Sequence, residues 1–149
     1  MMFRGHSHRS IDPKGRLMLP PDFREILDAG GSGGKLVLTK YDGCVVGYSL
    51  SEWNQVQAKF TQIKNPSRQI RNFMRVFIGG SEILELDRQG RVLIPQSLRT
   101  YARLDKEVIL VGVGIKFEIW NREAFEEIEA QDFDDVADAI AATGVEVGF

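Results

Sequence analysis

The sequence is poor in the residue types that most chemistry depends on. It has one cysteine, Cys44, so no internal disulfide can form, and two histidines, His6 and His8, both within the first ten residues. Cys44 lies in the apolar stretch GCVVGYS, where a cysteine reads as a small buried hydrophobe rather than a nucleophile. With histidine confined to the N-terminus, no Ser-His-Asp or Cys-His arrangement can be assembled in the body of the chain. His6 and His8 have no third histidine or cysteine pair to complete a metal site, and they read as part of a flexible basic arm. Two glycine-rich stretches fail as nucleotide loops. GGSGGKL has Ala29 where a phosphate loop needs its first glycine and Leu36 where the magnesium-holding Ser or Thr belongs. GVGIKF has Phe117 at the place of the third glycine of a dinucleotide fingerprint. No catalysis, cofactor, metal or small-molecule substrate is expected. No run approaches the roughly 18–20 apolar residues of a membrane span. MMFRGHSHRS lacks the apolar core of a secretory signal, so a cytoplasmic location is expected.

Basic charge is also missing, but only from one end. Up to Arg122 there are 19 Lys/Arg and 12 Asp/Glu, a balance of +7, whereas from Glu123 onward there are nine acidic residues and no Lys or Arg. The net charge of −2 therefore averages a moderately basic body and an acidic tail. That tail reads either as a solvated terminal helix or as a surface for a partner.

What the sequence does contain is a repeat. IDPKGRLMLPPDFR (11–24) and LDRQGRVLIPQSLR (86–99) align at an offset of 75, matching Asp12 with Asp87, Gly15 with Gly90, Arg16 with Arg91, Pro20 with Pro95 and Arg24 with Arg99. Beyond the loop DAGGSGGK the offset becomes 72, matching KLVLT with EVILV, Tyr48 with Trp120, Trp53 with Phe125 and Val56 with Ile128. Loops absorb such length changes and packed elements do not. In each copy a short strand (RLMLP, RVLIP) ends at proline, and a short helix follows with apolar residues at i, i+3, i+4: Phe23, Ile26, Leu27 in one and Leu98, Tyr101, Ala102 in the other. Two further strands come next, KLVLT and CVVGYS in the first copy, EVILVG and KFEIW in the second. Ser49 and Asn121 then stand at helix N-caps. Between the copies, Ser67 heads a helix with an apolar stripe of Ile70, Phe73, Met74 and Phe77 opposite Arg68, Arg71 and Arg75. A unit of this size buries little apolar area alone and leaves strand edges open. One intertwined β-rich core with pseudo-twofold symmetry is therefore expected, rather than two separate beads.

The repeated Asp-x-x-Gly-Arg is the remaining candidate for function. Asp closes a turn onto its own backbone, Gly permits positive φ, and Arg opens a strand. A surface Asp–Arg pair adds little stability, while a guanidinium fork fits phosphate or the O6 and N7 of guanine. Arg4, Arg9 and Lys14 add positive charge around the first copy and Arg88 around the second. From the residues alone, a nucleic-acid contact and a purely structural turn both stay open.

FRGHSHRSIDPKGRLMLPPDFR together with LDRQGRVLIPQSLRTYARLDKEVILVGVGIKFEIW resembles the MraZ family of bacterial transcriptional regulators, over nearly all of residues 3–128. The resemblance implies an α+β fold in which AbrB/SpoVT-like half-units over 3–56 and 81–128 form a swapped-hairpin, double-psi-like pseudo-dimer. A helical linker over 57–80 and an acidic tail over 129–149 complete the organisation. It also implies a ring-like homo-oligomer, nucleoid-associated, that binds repeated boxes in double-stranded DNA upstream of a cell-division and cell-wall gene cluster. Carried onto this chain, Lys14 and Arg16 are the first loop's DNA contacts, Arg91 and then Arg88 the second's, with Arg4 nearby and Asp12, Gly15, Asp87 and Gly90 shaping the loops. Pro13 departs from the family pattern and should stiffen the first turn. Gln89 in place of Lys14 makes the second loop the weaker reader. The alternative is an antitoxin-like protein-interaction module that uses the acidic tail.

Overall fold

A computed structural model describes residues 2–149. Along the chain run β1 (Phe3–Ser10), β2 (Arg16–Met18), α1 (Pro21–Ala29), β3 (Lys35–Tyr41), β4 (Cys44–Ser49), α2 (Leu50–Phe60) and α3 (Arg68–Phe77). The same order then recurs as β5 (Glu82–Glu85), β6 (Arg91–Leu93), α4 (Gln96–Tyr101), β7 (Glu107–Gly114), β8 (Phe117–Asn121), α5 (Arg122–Glu129) and α6 (Val136–Ala141). Six strands form one antiparallel sheet in the order β1-β7-β8-β4-β3-β5, and β2 pairs with β6 in a separate two-stranded ribbon.

The strand register shows how the two halves interlock. The opening strand of each half leaves its own hairpin and pairs with the other's: β1 lies on β7 with Ser10 opposite Glu107, and β5 lies on β3 with Glu85 opposite Lys35. The second pairing repeats the first at the offsets seen in the sequence. At the centre of the sheet β4 meets β8 with Val46 opposite Glu118, and in the ribbon Leu17 stands opposite Val92. Residues that align with each other can stand directly opposite only at a twofold axis, so the pseudo-axis passes through both pairs. The fold is α+β, built from two repeats with exchanged strands.

Alternation along the strands divides the core between the two faces of the sheet. Leu36, Leu38, Val45, Val108, Leu110, Phe117 and Ile119 face the ribbon residues Leu17 and Val92 and the helices α1 and α4, which contribute Phe23, Leu27 and Leu98. Val37, Val46, Tyr48, Ile109, Val111 and Trp120 point the other way, under Trp53 of α2, Phe77 of α3 and Phe125 of α5. Cys44 belongs to this second layer, fully buried, and burial pushes its thiol pKa up, away from thiolate chemistry. Each layer draws on both halves, so neither half could bury its own strands alone.

The helix starts follow from local chemistry. Ser49 Oγ accepts from the Glu52 amide, Ser67 Oγ from the Ile70 amide and Asn121 Oδ1 from the Ala124 amide, each satisfying one of the unpaired N–H groups of a helix end. α1 and α4 instead begin directly after Pro20 and Pro95, without a capping side chain. In α3 Phe77 is buried and Ile70 and Met74 half-buried, while Arg68, Arg71 and Arg75 are exposed. α6 buries no residue.

The N-terminal segment differs from its expected flexible state. FRGHSHRS is a regular strand, paired residue for residue with β7 over its whole length. Its polar sequence conceals this because β1 is an edge strand with one wet face. Its anchor is Phe3, whose ring packs edge-on against Phe23 and Phe117 at 5.1 and 5.2 Å between centroids. β5, at the opposite edge, is short and flanked by Glu82 and Glu85, and short charged edges discourage unwanted strand addition.

Candidate nucleic-acid interface

Both Asp-x-x-Gly-Arg segments fold into the same turn. Asp12 Oδ1 accepts the backbone N–H groups of Lys14 and Arg16, both at 2.9 Å, and Oδ2 accepts Arg16 Nε at 2.6 Å. Asp87 repeats this with the N–H groups of Gln89 and Arg91 and with Arg91 Nε, all at 2.9 Å. Gly15 and Gly90 close the turns with φ of 92° and 83°, a region that favours glycine, and donate their N–H to the carbonyls of Asp12 and Asp87. The Arg16 backbone N–H, helped by the same residue's guanidinium, outweighs partial desolvation and holds the Asp12 carboxyl below the usual carboxylate range. The Arg91 backbone and guanidinium do the same for Asp87. Both carboxylates are therefore charged at neutral pH and fix the orientation of their arginines.

The ribbon places these arginines together. Arg16 stands opposite Leu93 and Met18 opposite Arg91, so period-two alternation puts all four on one face, while Leu17 and Val92 point into the core fully buried. Strand spacing sets the Arg16 and Arg91 Cα atoms about 8 Å apart. Only Nε of each guanidinium is held by its aspartate, and the terminal nitrogens have no hydrogen-bond partner among the described residues. Each turn also bonds to the other half: the Ile94 amide donates to the Gly15 carbonyl at 2.9 Å, and the Leu19 amide to the Gly90 carbonyl at 3.1 Å.

Lys14 and Arg88 are exposed beside the ribbon, with no carboxylate within 4 Å among the described residues. Arg4 is not brought to this face. It lies six residues before Ser10 on β1, about 20 Å along the strand. Sequence reasoning aligned Arg24 with Arg99 but gave them no part, whereas both guanidinium groups lie directly behind the turns. Their equal position in the two copies was the available signal. Among the described residues no group of three or more His, Cys, Asp or Glu gathers to hold a metal ion, and no helix is long and apolar enough to cross a membrane.

A family model described as "MraZ protein, putative antitoxin-like" matches the chain twice, over residues 2–75 and 77–146, one match to each half. The transcriptional regulator MraZ of Nitratidesulfovibrio vulgaris (strain Miyazaki F) is 56% identical over 147 residues, covering 99% of both chains. The transcriptional regulator MraZ of Maridesulfovibrio salexigens is 49% identical over 149 residues, covering both chains in full. That of Acetivibrio thermocellus is 38% identical over 148 residues, covering 97% of this chain and all of its own. With its two copies of the turn, its exchanged strands and its matches along nearly the whole length, this chain belongs to the MraZ family.

Proposed function

We propose that the protein is a sequence-specific DNA-binding transcriptional regulator without enzymatic activity, and that the ribbon face is its reading surface. The observation that carries this is the placement of Arg16 and Arg91 on one outward face, each oriented by its own aspartate with the terminal nitrogens free. A two-stranded ribbon fits the major groove, where such a fork matches guanine O6 and N7. Lys14 and Arg88 would grip the flanking phosphates. Arg4, remote from the ribbon, would meet only DNA that wraps past the β1 edge. Asp12, Gly15, Asp87 and Gly90 shape the turns, and Gln89 in place of Lys14 makes the second loop the weaker reader. One chain offers few contacts, so useful affinity would come from a ring-like homo-oligomer that engages several boxes at once through effective concentration. Boxes about 10 base pairs apart keep neighbouring subunits on one side of the duplex. Footprinting on DNA upstream of the protein's own gene cluster should show protected boxes at that spacing, with affinity falling steeply as salt rises. Protection without any regular spacing would contradict repeated-box binding.

A second reading is favoured by the tail. α6 buries nothing, and Phe133, Val145 and Phe149 stand 52%, 58% and 80% exposed in a segment that carries only negative charge. An acidic segment with unburied apolar residues suits a partner protein. Removing residues 131–149 should leave DNA affinity within about twofold, because the tail lies outside the ribbon. Loss of partner capture together with unchanged DNA binding would favour the interaction reading for the tail.

A further inference from the structure

Arg24 in α1 and Arg99 in α4 each follow their own loop's arginine by eight residues, and the simplest expectation is that each braces its own loop. The contacts run the other way. A Cβ built on Gly15 would lie 2.9 Å from Arg99 Cζ, 3.1 Å from Nη2 and 3.2 Å from Nε. A Cβ built on Gly90 would lie 2.5 Å from Arg24 Nη1 and 2.9 Å from its Cζ. Each helix-borne guanidinium therefore packs against the turn in the opposite half, at the spot where glycine leaves room.

Backbone hydrogen bonds also cross between the halves. Arg99 Nε donates within its own half, to the Ile94 carbonyl at 2.9 Å, and the Ile94 amide donates across to the Gly15 carbonyl. In the mirror position the Leu19 amide reaches the Gly90 carbonyl, but Arg24 Nε is buried without an acceptor. Neither arginine has a carboxylate within 4 Å among the described residues. Ion pairing within the chain therefore does not account for them.

We propose that Arg24 and Arg99 are positioning residues for the reading loops and act crosswise, Arg99 fixing the Lys14–Arg16 turn and Arg24 fixing the Gln89–Arg91 turn. The first turn is continuous through β2 with α1, which carries Arg24 to the second turn. The second turn is continuous through β6 with α4, which carries Arg99 back to the first. Each loop is thus backed by the helix of the opposite half. The two arginines differ in one respect: Arg99 Nε is held by the Ile94 carbonyl, whereas Arg24 Nε has no acceptor. Lysine cannot replace either residue, because a compact ammonium does not reproduce the rigid planar fork that fills the space beside each glycine.

The functional half of this inference rests on the DNA reading of the loops; the crossing itself does not. Hydrogen exchange followed by mass spectrometry on the full chain separates the two. Arg99→Leu should speed exchange several-fold in peptides covering 12–17 and leave 87–92 near wild type, and Arg24→Leu should do the reverse. Arg24→Lys and Arg99→Lys should reproduce the pattern with charge retained, and they carry the test should a leucine variant fail to fold. Affinity for a duplex of its own promoter should fall about tenfold, less than the full loss expected when a reading arginine itself is removed. Arg99→Leu should be non-additive with Lys14→Ala and additive with Arg88→Ala. Faster exchange in the variant's own-half loop, or in neither loop, overturns the crosswise assignment. So does a salt slope reduced by about one with exchange unchanged, which would make the arginines direct phosphate contacts. If the wild-type protein does not bind the duplex, the regulator reading fails, while the exchange pattern still decides the crossing.

Discussion

Arg16→Ala should weaken binding to promoter DNA by about 5- to 150-fold, the range that corresponds to the 1–3 kcal/mol of a bidentate arginine–guanine contact. The loss should leave the fold intact for a structural reason. Asp12 keeps both of its backbone partners, the N–H groups of residues 14 and 16, and an alanine supplies the second as well as an arginine does. Gly15 still closes the turn, and Leu17 still anchors the ribbon in the core. The variant is therefore a deletion of the fork and not of the loop. In an oligomer that holds several boxes, the deficit is multiplied over the engaged subunits. Arg91→Ala should show a smaller loss, because its loop has Gln89 where the first has Lys14. Fluorescence anisotropy on a labelled duplex, with circular dichroism and oligomer size as controls, measures both. Normal binding by a well-folded Arg16→Ala protein would remove the ribbon face as the reading surface.

The other large effect is expected at the seam between β4 and β8, where Gly47 stands opposite Phe117. The Phe117 ring occupies the space that a Cβ on residue 47 would need, and it also packs on Phe3 and Phe23. Gly47→Ala should therefore cost about 1–3 kcal/mol through overpacking. Phe117→Ala should cost about 3–5 kcal/mol, because it removes a fully buried ring and leaves a cavity. Phe117→Leu withdraws atoms from the space that Gly47→Ala fills, so the double variant should be more stable than the two single losses predict. Urea unfolding at one protein concentration measures all four proteins. Additive losses would show that the two positions do not share their space.

Much of this was legible in the sequence because it is local. Turn chemistry at Asp12 and Asp87, the proline stops, the helix caps and the apolar runs of KLVLT and EVILV all follow from neighbours within a few residues. The change of repeat offset from 75 to 72 bracketed the length difference but misplaced it: the loops 30–34 and 102–106 are equally long, and the extra residues belong to α1, which has 9 residues against 6 in α4. Strand exchange was not readable in any local pattern, because the pairing of β1 with β7 joins residues about a hundred positions apart. β1 itself was hidden by composition: a single apolar anchor, Phe3, leaves RGHSHRS without the signature of a strand. At the candidate site, the types Arg, Gly and Asp were visible in the motif. The tying of Arg16 Nε to Asp12 and the reach of Arg99 to the opposite turn were not, because each depends on where the chain returns in space.

The covalent link between the halves has a consequence for how such a protein can vary. In a dimer of identical chains every substitution appears twice, so a change that suits one side of the axis is imposed on the other. Here the axis lies within one chain, and each side varies alone. Gly47 and Phe117 share one side of the seam, whereas their counterparts Ile119 and Val45 fill the other with side chains of similar size. Pro13 and Lys14 of the first copy likewise correspond to Arg88 and Gln89 of the second. Fusing two copies into one polypeptide keeps the geometry of a symmetric pair and releases its two faces to become different.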